Sequence, residues 1–68
     1  MKTLSGKQFC KILESHGWKA ARITGSHHIY TREDSNFRIT VPVHANKDLK
    51  AGLQRALMKA AGIREDEL

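Results

Sequence analysis

Phe37-Arg38-Ile39-Thr40-Val41-Pro42 alternates apolar and polar side chains with the cleanest period of two in the chain. That period places Phe37, Ile39 and Val41 on one face of a strand. Pro42 has no N–H to give a ladder, so the strand ends there or lies at a sheet edge. Upstream, Glu33-Asp34-Ser35-Asn36 is a polar turn, and His27 to Arg32 reads as a second strand rich in β-branched and aromatic residues. Gly25-Ser26 supplies a tight turn before it, and Trp18 to Thr24, bounded by Gly17 and Gly25, suits a first strand.

Helices flank these three strands. Ser5-Gly6-Lys7-Gln8 has the form of a capping box, and Phe9, Ile12 and Leu13 follow at helical spacing, with Lys7, Lys11 and Glu14 facing away. Gly17 stands where a left-handed residue ends a helix, so the first helix is expected from about Ser5 to His16. After a loop from Val43 to about Lys47, Asp48 is a plausible N-cap. Leu53, Ala56, Leu57, Ala60 and Ala61 then form the expected apolar stripe of a second helix, which Gly62 and Ile63 close as a Schellman ending. The acidic tail, residues 64–68, is expected to fray. The whole is one α+β domain over residues 1–68, in the order α-β-β-β-α. A three-stranded antiparallel sheet with two helices on one face buries both stripes and one sheet face, as in double-stranded-RNA-binding domains.

Composition narrows the function. Sixty-eight residues bury only about 60% of their unfolded surface, which leaves no deep pocket for an organic cofactor. Cys10 is alone, so no intramolecular disulfide forms, and a reducing, cytoplasmic setting is expected. The N-terminus lacks a signal-peptide pattern, and no apolar run approaches the roughly 20 residues of a membrane span. Twelve Lys and Arg face seven acids, a net charge of +5. Three of those acids are Glu65, Asp66 and Glu67, so residues 1–64 carry +8. Such a body either holds polyanions through their phosphates or simply keeps itself soluble.

Of the four histidines, His27 and His28 sit where a turn opens into a strand, the accessible rim of a sheet. An imidazole there can change charge near neutral pH. RNA carries its own nucleophile, the 2′-hydroxyl, so one general base can start cleavage without metal or cofactor. The competing reading is a polar hairpin end with incidental histidines. Adjacent histidines on a strand point to opposite faces and grip no single metal ion, and no metal-ligand spacing is present. His44 lies in the loop after Pro42-Val43, and His16, in the last helical turn, complements the helix dipole. Trp18 and Tyr30 read as core residues before base-stacking platforms, and Cys10 as a buried, inert thiol. Lys19, Arg22, Ser26, Arg32, Arg38, Lys47 and Lys50 are the candidate RNA contacts, the last two aided by the start of the second helix.

Three segments together resemble the HicA family of toxin ribonucleases from type II toxin–antitoxin systems. They are Leu13 to Gly17-Trp18, then Gly25-Ser26-His27-His28-Ile29-Tyr30, and Val41-Pro42-Val43-His44 running into Leu49 through Gly62. The resemblance implies a double-stranded-RNA-binding-domain-like fold and an endoribonuclease that cleaves mRNA and arrests translation. It implies His27, directly after Gly-Ser, as the functional histidine, and a HicB antitoxin that covers it. His28 and His44 are candidates for the second acid–base group. Leu53 departs from the Gly-Thr that many members carry where this chain has Gly52-Leu53. Two rival readings stand beside this one: a non-catalytic RNA-binding module, and a protein-interaction domain whose basic face meets an acidic partner.

Overall fold

The computed structural model describes all 68 residues. Ser5 accepts the Gln8 N–H through its hydroxyl at 3.1 Å, and Gln8 returns the contact by accepting the Ser5 N–H at 3.1 Å. This reciprocal cap starts helix α1, Gly6–Ser15, which buries Phe9, Cys10 and Leu13. Its end is set by Gly17 at φ 88°, after which the Trp18 N–H bonds the Leu13 carbonyl at 3.1 Å.

Strands β1 (Lys19–Thr24), β2 (His27–Thr31) and β3 (Ile39–Pro42) form one sheet in that order, with both pairings antiparallel. Helix α2, Ala51–Ala61, completes the α-β-β-β-α order expected from the sequence. Helix α2 packs on β3, while α1 packs on β3 and β1. The core between the layers is built from Phe9, Leu13, Trp18, Tyr30, Ile39, Val41, Met58 and Ile63, among others. Trp18 and Tyr30 are core residues, as expected. Pro42 closes an edge strand, where its missing N–H costs no ladder bond.

Several boundaries differ from the sequence expectation. Trp18 precedes β1 and packs beneath it, and β2 stops at Thr31. Phe37 lies outside the third strand and is 65% exposed. There the local turn wins, because the Phe37 N–H bonds the Ser35 hydroxyl at 3.1 Å.

The start of the second helix is the larger correction. Asp48 is not its N-cap. Lys50 holds that position without any side-chain cap, and Asp48 instead accepts the Thr3 hydroxyl at 3.0 Å. The N-terminal segment draws Asp48 away: Ser5 bridges to Asp48, and the Leu49 N–H bonds the Leu4 carbonyl at 2.8 Å. The buried face of α2 is therefore Gln54, Met58 and Ala61. Leu57 is half-buried, whereas Leu53, Ala56 and Ala60 of the expected stripe are exposed. The C-terminal end is as expected: Gly62 is left-handed at φ 73°, and the Ile63 N–H bonds the Met58 carbonyl at 2.9 Å.

The acidic tail does not stand apart from the body. Glu65–Glu67 form a single 3-10 turn, Leu68 packs on the core, and Glu67 meets the His16 ring at 2.9 Å.

Candidate nucleic-acid interface

Gly25, at φ 58°, makes the tight turn between β1 and β2. The Ser26 carbonyl accepts the Val43 N–H at 2.7 Å, tying the hairpin tip to the loop after β3. His27 opens β2, pairs with Thr24 on one side and Pro42 on the other, and is exposed. His28 pairs with Ile23 and Val41 and is half-buried. Tyr30, two residues on, is buried against the helices, so His28 shares the helix side of the sheet. His27 takes the open side. The two imidazoles are neighbours in sequence and occupy opposite faces.

Pro42 connects His27 to a second group. It lines a cleft together with His44, Lys47, Lys50 and Leu53, and with Asp48, whose carboxylate accepts the Thr3 hydroxyl. A turn closed by the Lys47 N–H on the His44 carbonyl at 3.0 Å shapes this cleft, with Ala45 held at a left-handed φ of 50°. Such a backbone costs on the order of 1 kcal/mol in a residue with a Cβ. The first turn of α2 carries no acidic side chain and no side-chain cap, so its free N–H groups suit an anion. Ser26, His27, His44, Lys47 and Lys50 thus gather at one end of the molecule.

The remaining expected contacts divide. Arg22 pairs with Ile29 and lies on the open face, on the same side as His27. Lys19, opposite Thr31, is at the far end of the hairpin, and Arg38 precedes β3 at that same end. Arg32 is already occupied. Its guanidinium lies 4.6 Å from the Trp18 ring centroid, its Nε meets Asp34 at 2.7 Å, and it donates to the His16 carbonyl at 3.4 Å. The structure assembles no group of three or more His, Cys, Asp and Glu side chains able to hold a metal ion.

On the helix side, the Tyr30 hydroxyl donates to Glu14 Oε2 at 3.0 Å. Burial first, then the contacts with Cys10 and Glu14, push the Tyr30 pKa well above its ordinary value. Burial likewise raises the Cys10 thiol, with the Tyr30 hydroxyl opposing and Glu14 adding to the rise. A thiol held protonated in the core is inert, as expected from its place in the helix. Lys7 and Lys11 stand beside this group, across a cleft from His28. The sequence marks both lysines only as the solvent side of a helix. Their one signal is a spacing of four residues on a face free of apolar side chains.

A basic two-layer domain in the order α-β-β-β-α, with an exposed histidine at the β1–β2 turn, defines the class: a double-stranded-RNA-binding-domain-like α+β protein. The family model described as the HicA toxin of bacterial toxin–antitoxin systems matches residues 6–63, and the chain belongs to that family. A solved structure described as the HicA3 and HicB3 toxin–antitoxin complex contains a chain 33% identical, with a TM-score of 0.68. The match covers 87% of this chain and 94% of that one. No curated protein matches the chain significantly.

Proposed function

We propose that the chain is the toxin of a type II toxin–antitoxin pair, a metal-independent endoribonuclease that cleaves mRNA and thereby arrests translation. The observation that carries this reading is the position of His27: exposed, opposite Pro42, at the end of the molecule that also gathers His44, Lys47 and Lys50. An imidazole at the same end of the molecule as cations and free helix amides suits a substrate with a hydroxyl next to a phosphate.

In the proposed reaction the His27 ring takes the proton of a 2′-hydroxyl. The freed oxygen attacks the adjacent phosphorus while the bond from phosphorus to the 5′ oxygen breaks. That oxygen leaves with a proton from His44 or water, giving a 2′,3′-cyclic phosphate and a 5′-hydroxyl, because His28 lies on the opposite face of the sheet from His27. Lys47 and Lys50 hold the phosphates on one side and Arg22 on the other, with Ser26 at the turn. Lys19 and Arg38 serve only a strand long enough to run the length of β1, and Arg32 serves the fold first. Family membership and likeness to a chain from a HicA3–HicB3 complex support a HicB-type antitoxin as the protein partner.

The test is incubation of purified protein with a long mRNA in the presence of EDTA. Cleavage to cyclic-phosphate ends, lost in His27→Ala while RNA binding persists, is the expected result. Binding by both proteins with no cleavage would make the chain an RNA-binding module. Products with 5′-phosphate ends would overturn the chemistry.

A further inference from the structure

The helix side of the sheet holds a cleft that the proposed cleavage does not use. Helix α1 reaches the sheet beneath its own buried stripe, yet β1 stays exposed along its whole length. Between them lies an open cleft of about 370 Å³, walled by Lys7 and Lys11 and floored by Ala20, Ile23 and His28. Ile23 is 60% exposed there, so its side chain waits on a cover that neither helix supplies. Glu14 lines the same cleft, but its carboxylate already accepts the Tyr30 hydroxyl. None of the ion pairs in the structure involves Lys7 or Lys11. One helical turn apart, the two lysines present parallel charges about 5–6 Å from each other at their Cβ atoms.

We infer that this cleft binds RNA backbone, with Lys7 and Lys11 as phosphate contacts, Ile23 beneath a ribose or base, and His28 as the imidazole facing the bound strand. The inference rests on the proposed RNA substrate and adds a second track to it. Continuity with the His27 end supports it. Val43 lines the cleft, and its N–H is the group that bonds Ser26 beside His27. A strand leaving His27 over the hairpin tip therefore arrives at Lys7, the first of the two lysines from that end. Two lysines outside every ion pair and a histidine rim a cleft whose lining is otherwise largely apolar, through Ala20, Ile23, Tyr30 and Val43, a pattern that suits a strand whose phosphates alternate with riboses and bases.

The test uses the full chain carrying His27→Ala, so that RNA stays intact. Binding of a labelled single-stranded RNA oligonucleotide is followed by fluorescence anisotropy between about 50 and 200 mM KCl. Adding Lys7→Gln and Lys11→Gln should flatten the dependence of log affinity on log salt by about 1.4, at about 0.7 for each phosphate no longer neutralised. Ile23→Asp, which adds a like charge to the floor, should weaken binding while leaving the melting temperature in place, because the side chain is mostly exposed. An unchanged slope in the double-lysine variant, with the parent still binding RNA, overturns the cleft and spares the function. A parent that binds no RNA overturns both. Intact RNA binding with lost capture of the HicB-type partner would make the cleft a protein-docking site and also overturn the inference.

Discussion

The Gln54 side-chain carbonyl accepts the Leu4 N–H at 2.8 Å, fifty positions away, while its amide nitrogen donates to the Lys2 carbonyl at 2.7 Å. Gln54 is fully buried, so these bonds satisfy a polar group that would otherwise be stranded in the core. They also anchor the N-terminal segment to α2. Replacing Gln54 with Ala leaves the Leu4 N–H unpaired and opens a cavity, which should cost about 2–4 kcal/mol in urea unfolding. A loss under about 0.5 kcal/mol, the ordinary surface effect, would show that the pairing contributes nothing.

Helix α2 offers a contrast between two apolar residues. Leu53 is 39% exposed in the cleft beside His44, while Met58 is 5% exposed in the core. Leu53→Thr, the residue many family members carry, should shift stability by no more than about 1 kcal/mol. Met58→Ala should cost about 2–5 kcal/mol. Thermal melts of both variants decide the matter, and equal losses would mean that the helix is turned toward the stripe expected from sequence.

Gly6 faces the backbone of β3. A Cβ built on it would collide with the Pro42 carbonyl oxygen, and backbone cannot swing aside as a side chain can. Gly6→Ala should therefore cost about 3 kcal/mol, at the upper end of overpacking effects. The same variant should lower RNA cleavage, because the displaced strand carries Pro42 opposite His27. Unchanged stability by denaturant titration would show that α1 and β3 are not this close.

Cys10 and Tyr30 hold their protons more tightly folded than unfolded. Their ordinary values are 9.0 and 10.0, and both are raised by burial. Below about pH 9 both states keep the protons, and the contribution to stability is complete. Above it the unfolded chain ionises first, so stability falls as pH rises. Tyr30→Phe should cost about 1 kcal/mol at pH 7, through the missing bond to Glu14. That deficit should narrow between about pH 9 and 11, since the variant lacks the tyrosine's share of the alkaline loss. Urea unfolding at several pH values measures the gap, and a constant gap would contradict a buried hydroxyl at residue 30.

At the candidate site, sequence reasoning named residues by type and left their relative placement open. That His27 and His28 face opposite ways follows from the strand alone. That His44, Lys47 and Lys50 join His27 follows from Pro42, which pairs with His27 and also lines their cleft. Arg32 carries the same charge as Arg22 in the sequence. Only the structure shows it spent on Trp18 and Asp34. No periodicity distinguishes a free arginine from a paired one.

Short-range chemistry made part of the architecture legible in the chain alone. The reciprocal cap of Ser5 and Gln8, the left-handed ending at Gly62, the alternation of Ile39 with Val41, and the order of five elements each depend on residues within a turn or a strand of one another. Contacts between distant segments fixed the rest. Leu4 and Ser5 met the segment before α2, which took Asp48 from the helix cap and made a glutamine part of the core. Lys7 and Lys11 came to face His28 because α1 crosses the sheet where it does. Those pairings join distant parts of the chain, and their geometry is fixed only when two layers close on one core.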